Sequence, residues 1–143
     1  GIILVGDHRF QAKYETQIQS HRCYTQRHGY NLHLLNGSEY KVCRRYDDFF
    51  FKKHCTVAEF LERMPANYVA AIVDADVVVT VLERGLEEWA NHDADIQLYT
   101  RCLLPEIMAG NYMVRNTPFA RQFLRNWANY NFQKPRGFSS SDN

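Results

Sequence analysis

The hydrophobic positions of this chain fall into two patterns, short continuous or alternating runs and longer runs with an apolar residue every three or four positions. Runs of the first kind predict strands that are buried on one or both faces of a sheet. They lie at residues 2–5, 30–35, 69–73, 95–99 and 111–114.

Runs with helical spacing separate most of these strands. The first ends near Gly29, a residue type that readily takes the left-handed conformation following a helix. The second covers residues 50–64 and ends at Pro65. A third is marked by Leu82, Leu86 and Trp89.

The last helix is predicted to start at Pro118, with Asn116 or Thr117 as its N-cap. Its core face is expected to carry an aromatic stripe, formed by Phe119, Phe123, Trp127 and Tyr130. Strands that alternate with helices predict an α/β fold, a mostly parallel sheet with helices on both faces.

Two acidic residues follow the most apolar of the predicted strands. Asp74 and Asp76 come directly after residues 69–73, so the strand delivers both to its carboxyl end, where open α/β sheets bind ligands. Residues i and i+2 of an extended segment point the same way, which would bring both carboxylates to one hard cation. Mg²⁺ or Mn²⁺ bound this way completes its coordination with water and phosphate oxygens, so the pattern predicts a phosphate ester or diphosphate ligand. A turn that merely exposes both acids to solvent is the structural alternative.

Composition narrows the class of protein. The chain has 143 residues, 45% of them hydrophobic, which is typical of one folded domain. Lys and Arg number 17 against 16 Asp and Glu, which argues against nucleic acid as the main partner. No apolar run approaches the roughly 20 residues of a membrane span. Because the chain opens directly on a strand and stops in a polar loop at residues 142–143, we expect residues 1–143 to be a single domain cut from a longer protein, truncated at its C-terminus and with any membrane anchor outside it.

Several residues outside the acidic pair are candidates for ligand binding. Lys52 and Lys53 indicate either a solvated helix face or, if their helix starts at the carboxyl edge of the sheet, a diphosphate contact. Gly110 precedes a strand and permits close approach by a ligand or a neighbouring backbone. The four cysteines lack the paired spacing of a zinc site, and the glycosylation sequon at residues 36–38 fits a secretory lumen.

The order of these segments resembles that of a known family. Residues 49–55, 73–77, 106–117 and 141–143 together resemble a nematode-expanded family of domains of unknown function, itself similar to the retaining galactosyl-, mannosyl- and xylosyltransferases of the Golgi. The resemblance covers nearly the whole chain. It implies a GT-A fold, whose aspartate-x-aspartate motif binds Mn²⁺ or Mg²⁺ and the diphosphate of a nucleotide sugar.

The resemblance also implies roles for individual residues. Asp74 would lie near the ribose and the metal, Asp76 would be the direct metal ligand, and Lys53, or else Lys52, would contact the donor. Gly110 would frame the donor sugar.

Near the C-terminus, Asp142 would lie close to the transferred sugar or the acceptor, as the catalytic candidate. Two positions depart from the family pattern. Met108 stands where related transferases commonly carry an asparagine, and their last metal ligand, a histidine, would fall beyond Asn143.

The activity implied is transfer of a hexose or pentose from a nucleotide diphosphate sugar, with a UDP-sugar favoured, to a glycan acceptor with retention of configuration. The compartment implied is the Golgi or another lumen of the secretory pathway. In that oxidising environment we expect Cys43 and Cys55, which flank a loop and a helix start, to be linked.

Two alternative functions remain open. Asp74 and Asp76 also fit the motif of haloacid-dehalogenase-type phosphatases, in which the first aspartate is a nucleophile and the second an acid or base. Those enzymes carry the motif on their first strand, whereas two predicted strands precede it here. The other alternative is a catalytically inactive domain that binds a nucleotide sugar.

Overall fold

The computed structural model describes residues 1–91, 93–102, 106–135 and 137, which form a five-stranded sheet with helices on both faces. The strands are β1 (Ile2–Val5), β2 (Leu32–Leu35), β3 (Val69–Ile72), β4 (Ile96–Gln97) and β5 (Tyr112–Arg115). The α-helices of the described residues are α1 (His8–Lys13), α2 (Glu15–His28), α3 (Phe49–Leu61) and α4 (Pro118–Asn129).

The strand order β2-β1-β3-β5-β4 places β3 at the centre of the sheet. β1 pairs in parallel with β2 and β3, whereas β5 is antiparallel to both β3 and β4. Four strands therefore share one direction and β5 opposes them, which confirms the mostly parallel α/β sheet. Ala70, Ala71 and Ile72 of β3 are buried, as the continuous apolar run predicts.

Alternate residues of the strands supply two hydrophobic layers. On one face, Ile3 and Ile72 pack in a cluster with Val57 and Leu61 of α3 and Leu124 of α4. On the other face, Ile2 and Leu4 of β1 pack with Ile18 and Tyr24 of α2. The prediction of helices on both faces of the sheet is therefore confirmed.

The prediction of a helix around Leu82, Leu86 and Trp89 is wrong, since this segment is irregular apart from a 3₁₀ turn at Leu86–Glu88. Two of its backbone carbonyls accept hydrogen bonds from side chains of α2. Tyr24 donates its hydroxyl to the Arg84 carbonyl at 2.7 Å, and His28 Nε2 donates to the Leu82 carbonyl at 2.8 Å. These contacts satisfy polar groups that a helix would have paired internally.

α4 begins at Pro118 with Thr117 as its N-cap, as predicted, but the prediction of its core face is wrong. The buried residues are Ala120, Leu124 and Ala128, and Trp127 is only partly buried. The rest of the aromatic stripe is more exposed, 64% for Phe119, 36% for Phe123 and 56% for Tyr130. Because α3 and α4 pack against each other over much of their length, small side chains fit between them where rings would not.

The expected link between Cys43 and Cys55 is present, with their Cα atoms 5.7 Å apart. It joins the 3₁₀ turn at Lys41–Arg45 to α3. Among the described helices, none combines the length and the apolar character needed to span a membrane.

Candidate functional site

Asp74 lies two residues beyond β3, at the carboxyl edge of the sheet, where it pairs with Lys53 of α3. Lys53 Nζ is 3.3 Å from Asp74 Oδ1, and the two side chains are 2% and 30% exposed, respectively. Lys53 Nζ also donates to the Ala109 carbonyl at 3.2 Å. A buried ammonium is stable only when it is paired and hydrogen-bonded, so this lysine holds Asp74 and the segment before β5 together.

The start of α3 explains why Lys53, and not Lys52, reaches the aspartate. The Asp48 side chain caps α3 by accepting from the Phe50 amide at 3.0 Å, and Lys53 then falls in the second helical turn, facing the sheet. Lys52 points elsewhere and lines a cleft on the β2 side. The sequence left open which of the two lysines would contact a donor; the helix geometry pairs Lys53 with Asp74 and places Lys52 in the cleft.

Gly110 lies against the Asp74 carboxylate because β5 runs antiparallel to β3. Their register pairs Ile72 with Tyr112, so the chain two residues beyond Ile72 meets the chain two residues before Tyr112. A Cβ added at Gly110 would lie 2.3 Å from Asp74 Oδ2. The sequence left open a ligand or a neighbouring backbone as the reason for a small residue here, whereas the close neighbour in the structure is the Asp74 side chain.

Asn111 is a site residue that sequence reasoning missed. Its side-chain Oδ1 accepts a hydrogen bond from the Asp74 amide at 2.9 Å, which fixes the backbone at the start of the acidic motif. A polar amide side chain beside a glycine just before a strand was the available signal. Lys53, Gly110 and Asn111 thus enclose Asp74 from two different segments of the chain.

Asp76 does not continue an extended segment, so the expectation of two carboxylates projecting from one strand is wrong in its geometry. β3 ends at Ile72, and residues 74–77 form a turn in which the Val77 amide donates to the Asp74 carbonyl at 3.1 Å. Asp76 is exposed, and within the described residues its carboxylate makes no hydrogen bond or ion pair. Asp74 is therefore held in place by neighbours, whereas Asp76 faces solvent at the rim.

α2 holds the segment that follows this turn. Because the Val77 carbonyl can only accept, His21 Nε2 donates to it, at 3.0 Å. The Ser20 hydroxyl accepts from the Val79 amide at 3.2 Å. Burial lowers the pKa of His21 and outweighs the opposing effect of the bond to Val77. Protonation would put a second N–H on Nδ1, a buried atom without a hydrogen-bond partner among the described residues.

A cleft of about 410 Å³ opens beside the carboxyl ends of β1 and β2. Its lining includes three cationic side chains and two phenylalanines, namely Arg9, Lys13, Lys52, Phe10 and Phe49. The cleft is also lined by Asp7, two residues after the end of β1, and by Asn36, the first residue after β2. Sequence reasoning identified Lys52 as a candidate but missed Asp7 and Asn36 as site residues, although each follows a predicted strand at the same edge of the sheet.

The side-chain oxygens at the turn are ligands that suit a hard cation. Asp74 and Asp76 offer carboxylate oxygens, the ligand type that Mg²⁺ and Mn²⁺ prefer. No three His, Cys, Asp or Glu side chains among the described residues are grouped to hold a metal ion. The described chain thus provides at most an open site, in which other ligands would complete the coordination. Asp142, the predicted catalytic residue, lies outside the described residues.

Residues 21–143 match the family described as "Protein of unknown function, DUF273". The chain belongs to the DUF273 family. Its fold also matches the crystal structure of a glycosyltransferase involved in the glycosylation of the major capsid of PBCV-1, with a TM-score of 0.70 at 15% sequence identity. The match covers 99% of the DUF273 chain and 71% of the other chain. Among curated proteins, none matches the DUF273 sequence significantly. At this identity the structural match shows a shared fold.

Proposed function

We propose that this DUF273 protein transfers a hexose or pentose from a nucleotide diphosphate sugar, with a UDP-sugar favoured, to a glycan acceptor with retention of configuration. The observation that carries the proposal is the enclosure of Asp74 by Lys53, Gly110 and Asn111. This arrangement lies at the ligand-binding edge of a sheet whose fold is shared with a glycosyltransferase. The disulfide between Cys43 and Cys55 supports a secretory lumen as its compartment.

In this proposal Asp74 and Asp76 hold Mn²⁺ or Mg²⁺ together with the diphosphate of the donor. When bound, the cation neutralises the negative charge that develops on the leaving diphosphate. Lys53 orients Asp74 through their ion pair, and Gly110 leaves room for its carboxylate. A retaining path needs no strong base from the protein, since the departing phosphate oxygen takes the proton of the acceptor hydroxyl.

The cleft beside β1 and β2 is the natural place for the nucleoside end of the donor. Its volume of about 410 Å³ lies within the usual range for small-molecule sites, roughly 300–1,000 Å³. Phe10 and Phe49 provide aromatic surface for a base, and Lys52 lies next in the chain to the lysine that holds Asp74. Arg9 and Lys13 add positive charge suited to phosphate.

The phosphatase alternative is less well supported. Asp74 follows the third strand of the chain, and its carboxylate is paired with Lys53. A domain that binds the donor without turnover is the remaining alternative, favoured by Met108, whose thioether stands close to Gly110 where relatives carry an amide.

Titration calorimetry of UDP with and without Mn²⁺ tests the metal assignment. In the wild-type protein we expect Mn²⁺ to raise UDP affinity by at least about tenfold, because diphosphate oxygens complete the coordination of the cation. Asp76→Asn should remove this enhancement and abolish transfer while leaving the unfolding midpoint nearly unchanged. Equal UDP affinities with and without Mn²⁺ in the wild type would contradict the proposal.

Two variants calibrate this experiment. Asp93→Asn removes another exposed carboxylate by the same chemical change, and it should leave the Mn²⁺ effect intact. Ile72→Ala should cost about 2–5 kcal/mol of stability through a cavity in β3, whatever the function. UDP release from a UDP-sugar supports the transferase, phosphate release from p-nitrophenyl phosphate supports the phosphatase, and UDP-sugar binding without release indicates an inactive domain.

A further inference from the structure

A second groove opens beside Asp74 and Asp76, on the side away from the cleft beside β1 and β2. It has a volume of about 360 Å³ and lies where β3 ends, β4 ends and β5 begins. Its walls are mainly apolar and include Val73, Trp89, Leu98, Tyr99, Asn111 and Met113. None of the described residues that line it is charged.

Two aromatic side chains at this groove are exposed to solvent, Trp89 by 56% and Tyr99 by 49%. Both are nevertheless held by defined contacts. The Gln97 amide donates to the Trp89 carbonyl at 2.7 Å, and the Arg84 guanidinium lies 4.4 Å from the Trp89 ring centroid. The Tyr99 carbonyl accepts from the Met108 amide at 2.9 Å. The rings therefore stand on a positioned backbone, which lowers the entropic cost of binding to them.

The groove is continuous with the candidate transfer site. Val73 immediately precedes Asp74, and Asn111 both lines the groove and accepts the hydrogen bond from the Asp74 amide. A ligand in this groove would therefore lie next to the segment that holds the acidic motif. Its position suits the molecule that receives the sugar.

We propose that the groove binds a neutral pyranose ring of the acceptor glycan, with Trp89 and Tyr99 as its stacking surfaces. A pyranose has one face made of C–H groups, whose partial positive charge is attracted to the electron-rich face of an aromatic ring. Its hydroxyls at the ring edge can reach amides such as Asn111. The assignment of this sugar as the acceptor rests on the proposed function, whereas the pyranose site itself is inferred from the groove alone.

The charge of the two openings decides which ligand each receives. The cleft beside β1 and β2 carries three cationic side chains against the carboxylates of Asp7 and Asp47, and this excess of positive charge suits a diphosphate. The groove has no charged lining residue in the described part of the chain, and Arg84 beside the Trp89 ring is already paired with Glu88, so a diphosphate would lose its hydration there with little compensation. A neutral sugar ring meets no such penalty.

NMR titration with three methyl glycosides, β-D-galactopyranoside, α-D-mannopyranoside and β-D-xylopyranoside, tests the site. At least one should bind the wild type, with saturation transfer strongest at the C–H face of its ring. Trp89→Ala and Tyr99→Ala should each weaken this binding by about tenfold. Trp89→Phe, which keeps a ring, should lose less. Phe119→Ala, which truncates an exposed aromatic on α4, should change nothing.

UDP affinity with Mn²⁺, measured on the same variants, separates this inference from the proposed function. Unchanged UDP affinity together with weakened glycoside binding supports both. Glycoside binding that depends on Trp89, in a protein that binds no UDP, supports the sugar site and contradicts the transferase. If no glycoside binds the wild type, if both alanine variants bind like the wild type, or if the groove proves to be a dimer contact that Trp89→Ala dissociates, the inference is overturned.

Discussion

At the scale of single residues, the site depends on how closely the groups around Asp74 approach one another. Lys53 contacts one carboxylate oxygen and Gly110 leaves space for the other, while Asn111 holds the backbone. The ion pair with Lys53 therefore holds the carboxylate in a position that is open only because residue 110 has no side chain. Filling that space should displace the Asp74 carboxylate and lower the stability of the fold.

Gly110→Ala should therefore destabilise the protein by about 1–3 kcal/mol, the usual cost of overpacking, because its Cβ would meet Asp74 Oδ2 at 2.3 Å. The cost should nearly vanish when Asp74 is also replaced by alanine, since the clashing atom is then gone. Urea unfolding of the two single variants and the double variant measures the coupling. Additive free energies of unfolding would show that the carboxylate is not what keeps residue 110 a glycine.

At the scale of elements, the segments that differ from prediction take their shape from a neighbouring helix. The segment around Leu82 and Leu86 has helical apolar spacing, yet Tyr24 and His28 bind its carbonyls and keep it irregular. In α4 the helix itself is as predicted, but the buried face belongs to Ala120 and Leu124 instead of the rings. In both cases packing selects among conformations that the local sequence permits.

The link between the 3₁₀ turn at Lys41–Arg45 and α3 gives a prediction at this scale. Replacing Cys43 and Cys55 together by alanine should lower the free energy of unfolding by about 3 kcal/mol, because a loop of this length loses entropy in the unfolded chain when it is closed. Urea unfolding under non-reducing conditions measures the loss. The double variant of the exposed cysteines, Cys23→Ser with Cys102→Ser, should unfold like the wild type. Equal stability of all three proteins would show that the disulfide does not stabilise the fold.

At the scale of the whole molecule, His21 connects the α2 layer to the chain that leaves the acidic turn. Its side chain is 2% exposed and bonds the Val77 carbonyl across the sheet edge. The buried surroundings favour the neutral imidazole, since a second proton would lie on Nδ1, which has no hydrogen-bond partner among the described residues. The layers are therefore joined through a histidine whose pKa burial lowers below its ordinary value.

Acid should weaken the fold through this residue. Burial lowers the pKa of His21 in the folded protein below its ordinary value of 6.5, so below that pH the unfolded chain binds more protons than the folded one. Stability is then lost as pH falls from 6.5 towards the folded pKa. Burial also lowers the pKa of His33, so a variant is needed to measure how much of the loss of stability at low pH comes from His21.

His21→Gln keeps a donor for the Val77 carbonyl and removes the titration. Its free energy of unfolding should therefore fall less than that of the wild type between pH 7.5 and pH 5, as measured by urea unfolding across that interval. Parallel curves for the two proteins would mean that His21 binds protons equally in the folded and unfolded states.

The sequence by itself determined the elements whose signals are local. Continuous apolar runs located β1 and β3, the residues before Pro118 located the start of α4, and the acidic pair after β3 located the candidate site. These signals are readable because strand burial and capping depend on residues close together in the chain.

Only the tertiary structure decided which groups meet. The antiparallel direction of β5 brings Gly110 and Asn111 to Asp74, the start of α3 selects Lys53 over Lys52, and side chains from α2 hold the segment after Asp76. Each of these contacts joins residues at least 21 positions apart in the chain. Their formation depends on the packing of whole layers, which local patterns of apolar and polar residues do not encode.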